Sequence, residues 1–334
     1  MKSTLGQWLL YQLQKIVSNS PLPLSGILLI SFLPLSFILP SSITRNAMLG
    51  PLINKFMENN QVHERQERVF LTLGILNTLA SSAMITGGLS AMIAAEVLGG
   101  FTWIKWFVYM AFPYYTFMVL GWIYLLLRYP TKQKPGVRSY IKKNRNTSPR
   151  EQFLPKKFIF SKEDKIIIFS LALMASLWIM DEYHGFHPVF PAILGLLIIG
   201  FFTKKIDWEE LKGSIAIDNA FIMASLFSLI EAIDRFGILD LVTANITSFF
   251  STNWNESSLL IVIILCTIVI NLIIPNITAV VTLIMPIYVS LAPKIGLSPM
   301  IVGFVGIIVI DGIKFFPVQS TPLFMIYQLK KFHA

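Results

Sequence analysis

Stretches of apolar residues, separated by short polar segments, run along most of the chain. About 20 consecutive apolar residues are needed to cross the hydrocarbon core of a bilayer as a helix. The apolar runs that are not divided by a polar tip or break therefore predict simple membrane spans. These spans are 103–128, 166–180, 188–203 and about 216–233. The pattern predicts an all-α, polytopic membrane protein.

Two further apolar regions are divided by a polar tip into segments that are short for a membrane span. Region 22–57 has its tip at 41–46, and region 258–292 has its tip at 276–282. Each region predicts a re-entrant helical hairpin, which leaves the membrane on the face where it entered. Unpaired backbone groups at that depth are tolerated only where they line a cavity or a site.

Two long apolar regions contain residues that interrupt a helix. Region 69–98 contains Thr86-Gly87-Gly88, and region 300–329 contains Pro317 and Ser320-Thr321-Pro322. These patterns predict two broken spans. Short or Gly/Pro-interrupted segments at matching places in two halves are typical of the binding site of a transporter.

The hairpins and broken spans recur in the same order in the two halves of the chain. Equal lengths separate Pro40 from Pro51 and Pro275 from Pro286. An amphipathic segment that favours the membrane interface precedes each hairpin, at 3–17 and at 237–252. The sequence therefore predicts a first repeat at 1–130, a basic loop at 131–165 and a second repeat at 166–334.

Composition and charge agree with a membrane location. The chain is 54% hydrophobic and 13% charged, against about 25% charged in soluble domains. Of its 27 Lys and Arg residues, 12 lie between Arg128 and Lys165. Such a cluster can bind nucleic acid, but between apolar spans it favours a cytoplasmic loop beside anionic lipid, so no nucleic-acid partner is expected.

The distribution of Lys and Arg also predicts an orientation. With the basic loop inside, the outside segments 181–187 and 237–257 contain no Lys or Arg, and the outside segment 293–299 contains only Lys294. Both termini are then cytoplasmic, and the expected location is the plasma membrane. The two hairpins enter from opposite faces, which makes the repeat inverted.

The tips and breaks carry the side chains that suit ion binding. Ser and Thr oxygens and freed carbonyls can ligate sodium, while helix N-termini and amide N–H groups can bind an anion. A tip taken alone has an equally good explanation as a helix cap. Two tips at matched positions, each followed by a broken span, favour a functional role.

Charged residues beside the tips have two interpretations each. Asp311 and Lys314 fit either a helical ion pair or a contact to a coupling ion or anion. Arg45 fits either a bidentate contact to a carboxylate or a side chain that extends to the cytoplasmic face, and the second is favoured. Cys266 is expected to be a small buried hydrophobic residue, and a single cysteine forms no intrachain disulfide and builds no zinc cluster.

Several motifs resemble the divalent anion:sodium symporter family. The segments Pro40-Ser41-Ser42-Ile43-Thr44-Arg45-Asn46 and Asn276-Ile277-Thr278 resemble the two hairpin tips of that family. Leu79 to Gly88 and Pro317 to Pro322 resemble its two unwound loops, and Ile206 to Lys212 is also typical. The loops around Thr86 and Gln319 are nearer to the dicarboxylate (2-oxoglutarate/malate) branch than to the sulfate branch.

The resemblance implies a secondary transporter without an enzymatic cofactor. The candidate anion ligands are Ser41, Ser42, Thr44, Asn46, Asn276, Thr278, Ser320 and Thr321. The candidate sodium ligands are Ser41, Thr86, Gly87, Gly88, Asn276, Gln319 and Ser320. Ser42, Ile43 and Ile277 depart from the residues that are usual in the family, which leaves the exact ligand set open.

The expected function is sodium-coupled uptake of di- or tricarboxylates, with the lipid bilayer and a small anion as partners. An anion exchanger or an inorganic oxyanion carrier of the same fold is the alternative. The scaffold spans of the family, which form its homodimer interface, are not recognised here, so a truncated, non-transporting remnant is a further hypothesis and dimerisation is doubtful. No acid pair at protease spacing and no Ser/His arrangement lies in the spans, so an intramembrane enzyme is not expected.

Overall fold

The computed structural model describes residues 22–60, 64–130, 160–203 and 255–331, and scattered positions within 12–20 and 209–245. These residues form helices and turns, and no strand occurs among them. The predicted segments 3–17, 216–233 and 237–252 and most of the basic loop lie outside the fully described ranges.

Thirteen helices, numbered along the described ranges, carry the fold. In the first half they are α1 (Leu24–Ile38), α2 (Ser42–Asn60), α3 (Gln66–Leu71), α4 (Asn77–Ser82), α5 (Leu89–Val97) and α6 (Trp103–Arg128). A π-helical turn, Thr72–Leu76, joins α3 to α4. In the second half they are α7 (Lys162–Ile179), α8 (Asp181–His184), α9 (Val189–Thr203), α10 (Glu256–Ile273), α11 (Ile277–Lys294), α12 (Pro299–Gly312) and α13 (Thr321–Lys331).

The two predicted hairpins coincide with helix–turn–helix pairs. Residues 39–41 separate α1 from α2, and residues 274–276 separate α10 from α11. Each predicted broken span is divided by a short 3₁₀ turn, at Ile85–Gly87 and at Pro317–Gln319. The two repeats, their inversion and the re-entrant course of the hairpins remain predictions.

Capping side chains explain where several helices begin. Ser161 and Asp164 form a capping box, because Ser161 Oγ accepts from Asp164 N (3.1 Å) and Asp164 Oδ2 accepts from Ser161 N (3.1 Å). Helix α7 therefore starts before the apolar run at 166. Asn255 Oδ1 caps α10 by accepting from Ser258 N at 2.8 Å.

Length and composition make three of these helices long enough to cross a membrane. They are Trp103–Arg128, Glu256–Ile273 and Ile277–Lys294, and shorter apolar helices are Leu24–Ile38, Val189–Thr203 and Pro299–Gly312. Large apolar side chains point outward, and Phe112 on α6 is 80% exposed. The prediction of an all-α, polytopic membrane protein is confirmed. The expectation for Cys266 was wrong, because it lies on the exposed face of α10, where a thiol suits lipid contact as well as core packing.

The chain divides into two compact units, and the divisions at Ser81 and Thr321 fall at the two breaks. Unit 1 comprises Met1–Ser81, Tyr115–Ile206 and Pro322–Ala334. Within it, α1 packs against α3, α7 and the π turn, and α7 packs along α9. Small side chains allow the second of these contacts, because Ser170 Oγ donates to Gly195 O at 3.0 Å.

A buried ion pair joins two helix ends in unit 1. Arg68 Nε lies 2.7 Å from Glu64 Oε1, and the two side chains are 2% and 5% exposed. Both Glu64 oxygens accept from Ser25 N, in the first turn of α1 (3.3 Å), and Arg68 also donates to Tyr129 O just beyond α6 (3.2 Å). The Glu64 carboxylate thus lies at the positive N-terminal end of α1, and the Arg68 guanidinium lies at the negative C-terminal end of α6. Both charges are stabilised by these helix ends.

Unit 2 comprises Ser82–Tyr114 and Asp207–Thr321. Within it, α11 packs on α12 and α5, and α10 packs on α12. The hydroxyl groups of Thr267 and Tyr288 are hydrogen-bonded, which fastens α10 to α11. A Cβ atom added at Gly306 would lie 3.0 Å from the Tyr288 ring, so glycine permits this close packing of α12.

Candidate functional site

The first hairpin tip exposes some of its predicted ligands and buries others. Ser41 is half-buried, and its Oγ accepts from Thr44 N (3.4 Å) as the cap of α2. Thr44 is exposed, whereas Ser42 is 7% exposed. The hydroxyl of Ser41 is thus already used in capping, and that of Thr44 is accessible.

Arg45 is fully buried directly behind this tip. Its Nε donates to Asn77 Oδ1 (2.7 Å), one terminal nitrogen donates to Leu39 O and Pro40 O, and the other donates to Asn77 O (3.0 Å) and Ser81 Oγ (2.6 Å). These five contacts use all five N–H groups of a guanidinium. The favoured prediction that Arg45 extends to the aqueous face was wrong, because the oxygens around the tip satisfy the side chain inside the protein.

Both polar atoms of the Asn46 side chain also form hydrogen bonds within unit 1. It is 1% exposed, its Nδ2 donates to Pro322 O (3.1 Å), and its Oδ1 accepts from Asn77 Nδ2 at 2.7 Å. Asn77 Nδ2 also donates to Ser42 O (3.2 Å). The sequence-based role of Asn46 as an anion ligand stays a prediction, but in this structure its amide holds α2 to the start of α13.

Asn77 is a central residue that the sequence interpretation missed. It is fully buried, it follows the π turn directly, and it contacts Ser42, Arg45 and Asn46. π-turns change the rotation of the helix that follows and often occur at functional sites. An amide inside the apolar run 69–82 was the signal that could have identified it.

The first break lies in unit 2 and is held by tryptophan side chains of α6. Trp103 Nε1 donates to Thr86 Oγ1, and Trp106 Nε1 donates to Ser82 O, each at 3.2 Å. Gly88 is exposed and extended, and a Cβ atom added there would meet only Ser90 Oγ, at 3.8 Å. The backbone at Gly88 therefore borders open space. A ligand that contacts the backbone at this position needs such space.

The second hairpin tip is more open than the first. Asn276 is exposed, and its Oδ1 caps α11 by accepting from Ala279 N at 3.1 Å. Thr278 is half-buried, and its carbonyl accepts from Thr282 Oγ1 (2.7 Å). The hydroxyl of Thr278 is one of the predicted anion ligands.

An amide pair supports the second break in unit 2. Gln319 Nε2 donates to Asn271 O (2.7 Å), and Gln319 Oε1 accepts from Phe315 N (2.6 Å) and Phe316 N (2.9 Å). Asn271 Nδ2 donates to Ile313 O (2.7 Å) and Ile310 O (3.3 Å), while its buried Oδ1 has no hydrogen-bond partner among the described residues. Gln319 is therefore part of the framework of the break, and Asn271 is a second residue that sequence analysis missed.

The remaining predicted residues lie close to this second break. Ser320 is 6% exposed, and Thr321 is exposed at the first position of α13. Asp311 is 5% exposed near the end of α12, and its Oδ2 accepts from Tyr114 OH (3.2 Å) and Ser90 Oγ (3.3 Å). Lys314 lies beyond the end of α12 and donates to the backbone carbonyl of Asp311.

Within each unit, the structure brings only some of the predicted residues together. In unit 1 it assembles Ser42, Arg45 and Asn46 around Asn77, and in unit 2 it places Gln319 on Asn271. Among the described residues, no group of three or more His, Cys, Asp or Glu side chains is placed to hold a metal ion.

Comparison with known proteins gives a family match over almost the whole chain. Residues 1–333 match the model described as the sodium:sulfate symporter transmembrane region. The chain is 24% identical over 262 residues to dicarboxylate transporter 1, chloroplastic, of Spinacia oleracea, covering 74% of this chain and 44% of that protein. It is 25% identical over 265 residues to dicarboxylate transporter 1, chloroplastic, of Arabidopsis thaliana, covering 75% of this chain and 46% of that protein. The chain thus spans about half the length of these curated relatives.

Proposed function

Because the chain belongs to the family of the sodium:sulfate symporter transmembrane region, which consists of transporters and not of enzymes, we propose that it carries di- or tricarboxylates across a membrane with sodium as the coupling ion. The names of the two relatives, both dicarboxylate transporters, support a carboxylate substrate over sulfate. The plasma membrane, with both termini in the cytoplasm, is part of the same proposal.

The observation that carries this proposal is the pair of polar interruptions in apolar helices. Each half has a hairpin tip of three residues and a broken helix with a 3₁₀ turn. Helices α2, α11 and α13 begin at these tips and at the second break, and the free N–H groups of helix N-termini favour an anion. The accessible side chains there are Thr44, Asn276, Thr278 and Thr321.

The two units differ in the oxygens that they offer to a sodium ion. In unit 2, Asn271 Oδ1 is buried and has no partner among the residues that the structure describes, and Ser320 and the Thr86–Gly87–Gly88 backbone supply further oxygens. An unpartnered buried acceptor is costly unless a cation or water occupies it. We therefore place the proposed sodium ligands in unit 2.

A second candidate function, anion exchange without sodium, is favoured by Arg45. The carbonyls freed at the first tip, those of Leu39 and Pro40, already accept from this buried guanidinium. Among the described residues, no ion pair joins Arg45 to a carboxylate. The fixed positive charge of Arg45 beside the tip then offsets part of the negative charge of a bound anion. No bound metal ion is needed for this effect.

Uptake by proteoliposomes distinguishes the two candidates. The full chain is reconstituted, and uptake of radiolabelled succinate, citrate and sulfate is measured with an inward sodium gradient, with potassium instead, and with internal succinate. Sodium coupling predicts succinate uptake that requires the sodium gradient. Exchange predicts uptake that requires internal succinate and is the same in potassium.

Direct binding of succinate to the purified chain, measured in the same two salts, accompanies the transport assay. The proposal requires that succinate bind more tightly than sulfate. Binding of none of the three anions, in either salt, would contradict it.

A further inference from the structure

Arg45 is a buried positive charge without an anionic partner in the part of the chain that the structure describes. The side chain is 0% exposed, and no ion pair among the described residues includes it. Arg68, the other buried arginine among these residues, lies 2.7 Å from the carboxylate of Glu64. A buried charge without a counter-ion is costly, and an ionisable side chain within a membrane span is expected to serve a function. The two buried arginines thus differ in how their charge is balanced.

The groups that hold the guanidinium are neutral. Its acceptors are the backbone carbonyls of Leu39, Pro40 and Asn77, the side-chain amide of Asn77 and the hydroxyl of Ser81. Tyr115, on α6, interacts electrostatically with Arg45, and a phenol is uncharged at neutral pH. These contacts satisfy the N–H groups of the guanidinium and leave its positive charge uncompensated.

Asn77 fixes the guanidinium through both its side chain and its backbone. Arg45 Nε donates to Asn77 Oδ1 at 2.7 Å, and a terminal nitrogen donates to Asn77 O at 3.0 Å. Asn77 Nδ2 donates to Ser42 O (3.2 Å) and to Asn46 Oδ1 (2.7 Å), which fixes the orientation of the amide. An aspartate at this position would have nearly the same shape and would neutralise Arg45. The neutral amide of Asn77 therefore preserves the positive charge.

The guanidinium lies directly behind the groups that are predicted to bind the anion. It donates to Pro40 O at 3.1 Å, and this carbonyl belongs to the peptide group that precedes Ser41. Helix α2 begins at Ser42, and its N-terminal end adds partial positive charge at the same tip. All five N–H groups of Arg45 are used within the protein. The guanidinium therefore acts on an anion at this tip through its charge and not through a hydrogen bond.

We propose that Arg45 is the specificity-determining charge that makes the first tip prefer dianions to monoanions, with Asn77 as the positioning residue that keeps this charge uncompensated. The inference rests on the proposed function and names the residues that select its substrate. The bound anion supplies a counter-ion for Arg45. Each negative charge of the anion is attracted separately, so a dicarboxylate gains more than a monocarboxylate. At a distance of about 10 Å and an effective dielectric constant of about 20, one unit charge changes the affinity by about tenfold or more.

Binding of succinate and butyrate to the purified full chain, at neutral pH and constant ionic strength, tests this proposal. The two anions have the same number of carbon atoms, and succinate has one more carboxylate. The wild-type chain should bind succinate at least about tenfold more tightly than butyrate. Equal affinities of the wild type for the two anions would overturn the proposal without any variant.

Asn77→Asp places a carboxylate against the guanidinium with almost no change in side-chain shape. The ratio of succinate affinity to butyrate affinity should fall by about tenfold, because the charge of Arg45 is then balanced within the protein. A merely structural role of Asn77 predicts instead a lower thermal unfolding midpoint with an unchanged affinity ratio. Asn255→Asp, the same substitution at the exposed cap of α10, is the matched control and should change neither quantity.

A second pair of variants serves if Asn77→Asp does not fold. Ser81 Oγ accepts from Arg45 at 2.6 Å, so Ser81→Asp also brings a carboxylate to the guanidinium. Ser81→Asn adds the same bulk without the charge. The affinity ratio should be about tenfold lower in Ser81→Asp than in Ser81→Asn. Equal ratios in these two variants would contradict the role of the Arg45 charge.

The results also separate a failure of this inference from a failure of the proposed function. A wild type that prefers succinate, together with folded Asn77→Asp protein that keeps the wild-type affinity ratio, would overturn the role of Arg45 and Asn77 and leave the proposed function intact. Wild-type protein that binds neither succinate nor butyrate would refute the proposed function, and this inference with it.

Discussion

Replacing Arg45 by glutamine is expected to unfold the first hairpin tip and to abolish succinate binding. The guanidinium supplies hydrogen bonds to five acceptor positions on residues 39, 40, 77 and 81, and glutamine has two donors. Each buried acceptor left without a donor costs about 1–3 kcal/mol, so three such acceptors lower the free energy of unfolding by about 3–9 kcal/mol. Thermal unfolding of the purified protein and succinate binding measure the two effects.

Arg65→Gln is the matched control, since Arg65 is an exposed arginine just before α3. We expect it to change the free energy of unfolding by no more than about 0.5 kcal/mol. Arg45→Lys keeps the charge but not the planar fork, so its stability should fall between those of the wild type and Arg45→Gln. Wild-type stability and succinate binding in Arg45→Gln would refute the structural role of the guanidinium.

Replacing Glu64 by glutamine is expected to cause the second-largest loss of stability. The substitution keeps the shape of the side chain but leaves the charge of Arg68, whose side chain is 2% exposed, without its anionic partner. Removing one partner of a buried ion pair costs about 3–5 kcal/mol. The thermal unfolding midpoint should fall clearly, and a small rescue is expected when Arg68 is replaced as well.

An exposed pair of the same residue types provides the control. Glu231 and Arg235 are 2.6 Å apart with side chains that are 64% and 76% exposed, and such pairs contribute about 0–1 kcal/mol. Glu231→Gln should therefore leave the midpoint nearly unchanged. Equal midpoints for Glu64→Gln and Glu231→Gln would show that burial does not strengthen the Glu64–Arg68 pair.

Local patterns predicted the element order because the relevant signals are short in range. Prolines and polar runs placed the tips and breaks, and the helices next to them agree with the predicted segments to within a few residues. Differences arise where a cap extends a helix beyond its apolar run, as Ser161 does for α7. The inversion of the repeat and the orientation of the termini depend on the membrane, and they stay predictions.

The contacts of the site were harder to predict because they join residues distant in the sequence. Arg45 was misjudged, since its partners Asn77 and Ser81 come from a helix that follows the π turn. Nothing in the pattern around 72–76 indicates a π turn. Asn77 and Asn271 were detectable in principle, as amides within apolar runs, but their partners depend on tertiary packing that periodicity does not encode.

Protection of the hairpin tips from cysteine labelling is the most direct test of the proposed carrier function. In a Cys266→Ser background, which removes the single native cysteine, Ser41→Cys, Thr278→Cys and the exposed control Glu256→Cys are labelled with a maleimide with and without succinate. If each tip contributes to anion binding, succinate at about ten times its Kd should slow labelling by about tenfold at positions 41 and 278, since about nine sites in ten are then occupied. Labelling at position 256 should not change. Equal labelling rates at both tips, with and without succinate, in a preparation that binds succinate would contradict the assignment of the tips to the anion.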